Sequence, residues 1–301
     1  MKTSPALKWM APVIFVLALV AALAGLWSAE GQPYTLTNFR GEAVTINARG
    51  LYYWDTLSSA AQMQGNDMVT LALGLPLLAV SFWLTLRGSL RGRLILTGTL
   101  GFFLYTYMSM CFGTAYNPFF LVYVALFSLS LFAFVLNMLS FDLRTLPRHF
   151  TERMPRRGIA IMFFFVGGFL MLMWLGRIAP TLLQGQVPAM ENVTSMFIQA
   201  MDLALIVPLC VLAGVLLLRR NALGYLLGSV AVMKFMTMGL ALTVMLLNML
   251  RAGVAVSPVE LTIFPAIAVA NLVLAVILLK NIREDIREDR PGGQPAVDPA
   301  D

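Results

Sequence analysis

Apolar residues in this chain run on in long blocks rather than alternating with polar ones. Blocks at roughly 11–28, 67–86, 94–113, 117–140, 158–179, 195–218, 222–249 and 258–280 approach or exceed the roughly 18 residues that a helix needs to cross a bilayer core. The pattern predicts an all-α fold, a polytopic integral membrane helix bundle of about eight transmembrane helices. Short connectors make most successive helices antiparallel neighbours. Pro76, Pro208 and Pro265 fall inside blocks. Each removes a backbone hydrogen bond and is expected to kink its helix. Gly224-x-x-x-Gly228 allows a close helix approach. No internal repeat is evident in the pattern.

The organisation expected is a transmembrane domain over 1–280 with an external cap, 29–66, inserted between the first two helices. YTLTNF and EAVTINA alternate and are rich in β-formers, and Arg40-Gly41 between them suits a hairpin turn. Leu51-Tyr52-Tyr53-Trp54 reads as an aromatic group at headgroup level. Asp55 or Thr56 is expected to cap a short interfacial helix running through Gln64 and stopped by Gly65. After Lys280 the last helix is expected to continue through KNIREDIREDR, and PGGQPAVDPAD then reads as disordered, making 281–301 a charged cytoplasmic tail. A signal peptide, with Ala22-Leu23-Ala24 as cleavage site, competes for the first block. That block is long for such a segment, which favours an uncleaved helix.

Composition agrees. The chain is 59% hydrophobic and 12% charged, about half the charge of a soluble domain, so it cannot make a water-facing surface along its length. The net charge of +6 lies in short connectors, where it reads as a topology signal and not as a nucleic-acid surface. With the N-terminus placed inside, sixteen Lys and Arg fall on the cytoplasmic side. Four, Arg40, Arg49, Arg177 and Arg251, fall outside. Both termini are therefore expected in the cytoplasm, and the membrane is expected to be the plasma (inner) membrane. Residues 141–157 carry five Arg, a surface for anionic lipid or for a membrane protein partner.

One cation, Lys234, sits in the middle of an apolar block, and one carboxylate, Asp202, lies deep in another. A charge at bilayer depth costs several kcal/mol unless it finds a partner or water. The two blocks are joined by a very short connector, so an Asp202–Lys234 pair is the expected centre. It serves either as a fixed lock between helices or as a switch that changes partner with a proton or ligand. Asp67, Tyr105, Tyr123, Asn248, Glu260 and Asn271 lie on polar stripes at helical spacing, and Asn117 and Gln199 join them as candidates to line a polar cavity. Such stripes most often glue helices together. If they converge, they enclose a polar cavity floored by Lys234.

The sequence carries no phosphate loop, HExxH, GxSxG or Cys/His cluster, so no metal and no cofactor is expected. Cys111 and Cys210 fall at different depths, which argues against a disulfide. Three functions fit: a small-solute transporter, a non-catalytic sensor, assembly factor or subunit of a membrane complex, and an integral-membrane enzyme acting on lipid through its acidic residues.

Overall fold

The computed structural model describes residues 4–27 and 29–284. Among them, eight helices are long and apolar enough to cross a membrane: α1 Pro5–Leu26, α2 Leu57–Leu86, α3 Leu90–Gly113, α4 Phe120–Leu139, α5 Arg156–Gln184, α6 Phe197–Leu218, α7 Ala222–Arg251 and α8 Pro258–Lys280. A two-stranded antiparallel hairpin, β1 Tyr34–Thr37 and β2 Ala43–Ile46, joins α1 to α2. The molecule is an all-α bundle, and its span lengths and composition are those of a multi-pass membrane protein.

Two boundaries differ from expectation. Thr56 does cap a helix, its hydroxyl accepting from Ser59 N at 3.1 Å. That helix does not stop at Gly65 but runs on as α2 to Leu86. The reason is packing: a Cβ on Gly65 would lie 2.7 Å from Met245 Cα in α7. This glycine is the flat spot where two backbones meet, not a stop. At the other end α8 finishes at Lys280 instead of continuing. Residues 281–284 are stitched to the body. Thr151 N donates to Asn281 O, and Arg283 N to His149 O. The Glu284 carboxylate accepts from Ser89 Oγ and from the backbone N–H groups of Leu90 and Arg91, capping the N-terminus of α3. The rest of the tail lies outside the described residues.

The repeat that the apolar pattern concealed emerges from the backbone. A π-helical turn, Thr70–Gly74, interrupts α2, and another, Asp202–Ile206, interrupts α6. Leu75 N–H donates to Thr70 O in the first, and Val207 N–H to Asp202 O in the second. Pro76 and Pro208 follow at the same distance. A proline ring crowds the carbonyl four residues back, and widening the preceding turn relieves that clash. The same separation, 132 residues, relates Gly88 to Arg220, both with left-handed φ, +84° and +53°. It also relates the N-caps Ser89 and Asn221. Gly92 and Gly224 correspond too: a Cβ on either would lie 2.4 Å from Leu84 or Leu216 respectively, themselves a matched pair. Leu71-Ala72-Leu73, Pro76-Leu77, Leu94 and Phe103 recur as Leu203-Ala204-Leu205, Pro208-Leu209, Leu226 and Phe235.

The chain is thus two four-helix halves of like connectivity, α1–α4 and α5–α8. Four spans per half is an even number, so matched helices of the two halves run in the same direction, as in a parallel repeat. Each half has its own apolar core, and each lends a piece of its third helix to the other. Leu90 and Leu94 of α3 pack in the second core, and Met238 and Ala241 of α7 pack in the first. The halves meet where α3 crosses α7. A Cβ on Gly98 would lie 2.3 Å from Met233 Cβ and 3.0 Å from Val230 O. Val230 is the counterpart of Gly98, so matched positions of the two halves touch here.

Two predictions follow from the matched connectors. Gly92→Ala and Gly224→Ala should each destabilise the detergent-solubilised protein by about 1–3 kcal/mol, the usual cost of overpacking, and by similar amounts, read as parallel falls in Tm. Arg220→Gly, which removes a Cβ from a left-handed position, should instead stabilise by roughly 1 kcal/mol, read as a rise in Tm.

Candidate functional site

Two buried polar clusters flank α3. Tyr105 and Tyr107, about 200° apart around the helix, face different ones.

The first contains Asp202 and Lys234, but not as the expected direct pair. Among the described residues the ion pairs within 4.0 Å are Arg40–Glu42, Arg91–Glu284 and Arg156–Glu152. Asp202 instead accepts from Tyr105 Oη at 2.6 Å and from Trp174 Nε1 at 2.9 Å. The Lys234 amine lies over the Tyr105 ring, 4.3 Å from its centroid, and 5.2 Å from that of Phe235. Tyr105 therefore stands between base and acid: its hydroxyl serves the carboxylate and its face serves the ammonium. The geometry has a simple origin. Gly98 and Gly101 leave the α3 surface bare, so the α7 backbone comes in close and the Lys234 stem lies along it, its Cδ within 3.9 Å of a Cβ built at Gly101. The long side chain then ends level with Tyr105, one turn beyond. Asp202 opens the π turn of α6, and Trp174 reaches it from α5. The acid is held by both halves, Tyr105 from the first and Trp174 from the second.

The second cluster surrounds Asp67, which is fully buried. Tyr52 Oη donates to Asp67 Oδ2 at 2.7 Å. Tyr52 was expected at headgroup level with Tyr53 and Trp54. Those two are exposed, but Tyr52 is only 1% exposed and turns inward. It can do so because Gly25 of α1 offers no side chain: a Cβ there would lie 2.0 Å from Asp67 Oδ2 and 2.7 Å from Tyr52 Oη. Burial and the adjacent carboxylate push the Tyr52 phenol well above its ordinary value, so it remains a donor. The hydroxyls of Tyr107 and Tyr123 lie within electrostatic reach of Asp67, and the two rings stack at 6.3 Å. Among the described residues Tyr107 Oη and, one turn along α2, Thr70 Oγ1 have no hydrogen-bond partner, while Tyr123 Oη faces Tyr52 and Asn117.

Of the remaining expected residues, Asn117 lies beside Tyr123, whereas Asn248 and Asn271 are engaged elsewhere. Asn117 accepts from Phe119 N at 2.9 Å and shapes the turn into α4. Asn248 donates to Ala61 O at 2.8 Å, tying α7 to α2. Asn271 donates to Ile267 O within α8. Gln199 and Glu260 are half-buried on α6 and α8. These three asparagines use their amides in the helix-gluing and turn-shaping roles typical of polar groups in spans. Cys111 and Cys210 are free thiols.

Three participants escaped the sequence reading: Trp174, Tyr52 and Tyr107. Trp174 left a usable signal, since a tryptophan well inside an apolar block must find an acceptor for its N–H. Tyr52 and Tyr107 left none.

Above the Asp67 cluster, Asp55 ties the hairpin region to the α3–α4 connector. Its Oδ1 accepts from Ser59 Oγ at 3.1 Å and from Ala115 N at 3.0 Å. The connector between α5 and α6 docks on the same cap: Glu191 O accepts from Asn38 Nδ2 at 2.7 Å, and its carboxylate accepts from Thr56 Oγ1.

Comparison of the chain with protein-family models, curated proteins and solved structures gives no match.

Burial pushes the Asp55 carboxyl up to about 6 against two hydrogen bonds that favour its ionised form. The folded protein then keeps a proton there that the unfolded chain releases near pH 4, so stability falls as pH rises from about 4 to about 6 and levels above. The wild-type Tm in detergent should be higher at pH 5 than at pH 7.5. Asp55→Asn should remove that difference at about 1.4 kcal/mol per unit of pKa displacement.

Proposed function

We propose that this chain is a small-solute transporter whose switch is the Asp202–Tyr105–Lys234 centre. The observation that carries this reading is the pair of matched, proline-bearing π-turn breaks, one per half, packed around the α3–α7 contact beside a buried acid and base. Parallel repeats with interrupted helices and binding groups near their interface are a common plan for carriers, and π turns favour functional positions.

The chemistry follows from the contacts. Ionised Asp202 is a strong acceptor that orders Tyr105 and Trp174. A proton on Asp202, or a solute group that takes its hydrogen bonds, loosens Tyr105. The ring then no longer holds the Lys234 amine, and α3, α6 and α7 lose the contact that fixes their relation. Since Tyr105 and Trp174 belong to different halves, the same event unlatches one half from the other, the motion that alternating access needs. The described conformation is then the occluded one.

The membrane proposed is the plasma membrane, with both termini cytoplasmic. In support, the connector after α4, the N-terminus of α3 and residues 281–284 share one end of the bundle, and the basic residues concentrate there. Arg144, Arg148, Arg153 and Arg157 are exposed at that end, as binding of anionic lipid by residues 141–157 requires.

A second reading, a subunit of a membrane complex, draws on two open surface depressions. One lies near Trp27 and Gly50 and the other near Arg156 and Arg220; neither touches Asp202 or Lys234.

Reconstituted into proteoliposomes with an imposed pH gradient and offered amino acids, sugars and organic acids, the wild type should take up at least one class faster than protein-free vesicles. Asp202→Asn and Lys234→Met should each lower that rate at least about tenfold, the loss of roughly 1.4 kcal/mol in the rate-limiting step. Wild-type rates equal to empty vesicles for every class, together with stoichiometric co-purification of another polypeptide in mild detergent, would instead support the subunit reading.

A further inference from the structure

The Asp67 cluster plays no part in the switch above, yet it is the more fully enclosed of the two. Its carboxylate accepts a hydrogen bond from Tyr52, and among the described residues no Lys or Arg forms an ion pair with it. Asp202 has Lys234 nearby, across the Tyr105 ring; the counterpart of Lys234 in the first half is Phe102, which offers no charge. Around Asp67 are buried hydroxyl oxygens. Among the described residues Tyr107 Oη and Thr70 Oγ1 have no hydrogen-bond partner, Tyr123 Oη faces Tyr52 and Asn117, and each of the three residues is at most 1% exposed. A buried carboxylate without a counter-charge and buried hydroxyls without partners are each costly. Their occurrence together, where Gly25 leaves room for Asp67 and Tyr52 to meet and where the π turn of α2 begins at Thr70, describes a site for something positive that oxygen can hold.

We infer that the Asp67 cluster binds one alkali cation, with the carboxylate supplying the charge and the hydroxyl oxygens of Tyr107, Tyr123 and Thr70 supplying neutral ligands. All these donors are oxygen, which suits hard cations and not copper or zinc. One carboxylate balances one positive charge. A calcium site recruits more, and among the described residues no three His, Cys, Asp or Glu side chains cluster. A proton alone would neutralise Asp67 but leave the other oxygens idle. Water alone would satisfy the hydroxyls but leave the charge. A cation does both. The site belongs to one half only, because Gln199 stands at the position matching Asp67. The inference does not depend on the transport reading.

The test is thermal unfolding of the purified full chain in detergent. It is run in sodium, potassium or lithium chloride against N-methylglucamine chloride at equal ionic strength. One alkali salt should raise the wild-type Tm in a saturable way, as a ligand of the folded state does, and Asp67→Asn should abolish the rise. Tyr107→Phe keeps the ring and its stack on Tyr123 but removes one ligand. It should raise the half-saturating concentration roughly tenfold, and it decides the matter if Asp67→Asn does not fold. No ion-specific shift, or an equal shift in Asp67→Asn, overturns the inference. So does an unchanged half-saturation in Tyr107→Phe. Stabilisation that depends on pH but not on alkali ion, and that vanishes in Asp67→Asn, assigns the site to a proton and overturns the cation.

Discussion

The approach of α3 to α7 at Gly98 is the contact on which the rest depends. Apolar side chains gain little by leaving lipid tails for one another, so helices in a bilayer associate through close packing and polar bonds. A residue without a side chain lets Val230 and Met233 come to the α3 backbone, and this fixes the distance between the two halves. Everything polar is arranged from there. Lys234 is carried in beside Gly98 and Gly101, Tyr105 is placed to face Asp202, and Tyr107 is turned to the opposite side toward Asp67.

The halves share a backbone plan and differ in chemistry. Both need a proline after a widened turn, a glycine pressed on the preceding helix and a capped start to the third helix. Those demands are met by like residues at matched positions because they are steric. The charges are not matched. Asp202 stands where the first half has Thr70, Lys234 where it has Phe102, and Asp67 where the second half has Gln199. Each acid has therefore acquired its own surroundings. Asp202 has two strong donors and a nearby ammonium on the far face of a shared ring. Asp67 has one phenol donor and, near it, the buried hydroxyls of Tyr107 and Tyr123. In a low dielectric these are two different solutions to the same desolvation cost.

The external cap is more than a cover. Tyr52 passes through it to reach Asp67, Asp55 pins it to the α3–α4 connector, and Glu191 of the second half closes over its hairpin. At the other end the last described residues cap α3 through Glu284. Segments that look peripheral along the chain thus hold the ends of the helices that carry the clusters.

The sequence alone settled what depends on transfer from water to hydrocarbon: the number of spans, their approximate ends, the all-α class and the isolation of Lys234 and Asp202 among apolar neighbours. Those follow from local composition, and each block carries its own signal. The tertiary structure decided what depends on which faces meet. Gly65 read as a helix stop because along the chain a glycine is only a weak helix former; against Met245 it is a contact point. Tyr52 read as a headgroup aromatic because its neighbours are, and only the space left by Gly25 explains its inward turn. The repeat was hidden because its shared residues are mostly leucines, alanines and glycines, common in any span, and because its connectors differ in length. Finally, Asp202 and Lys234 were recognisable as partners, but the ring between them was not. A sequence shows that two opposite charges must be reconciled in oil, while the side chain that reconciles them is chosen by how three helices happen to cross.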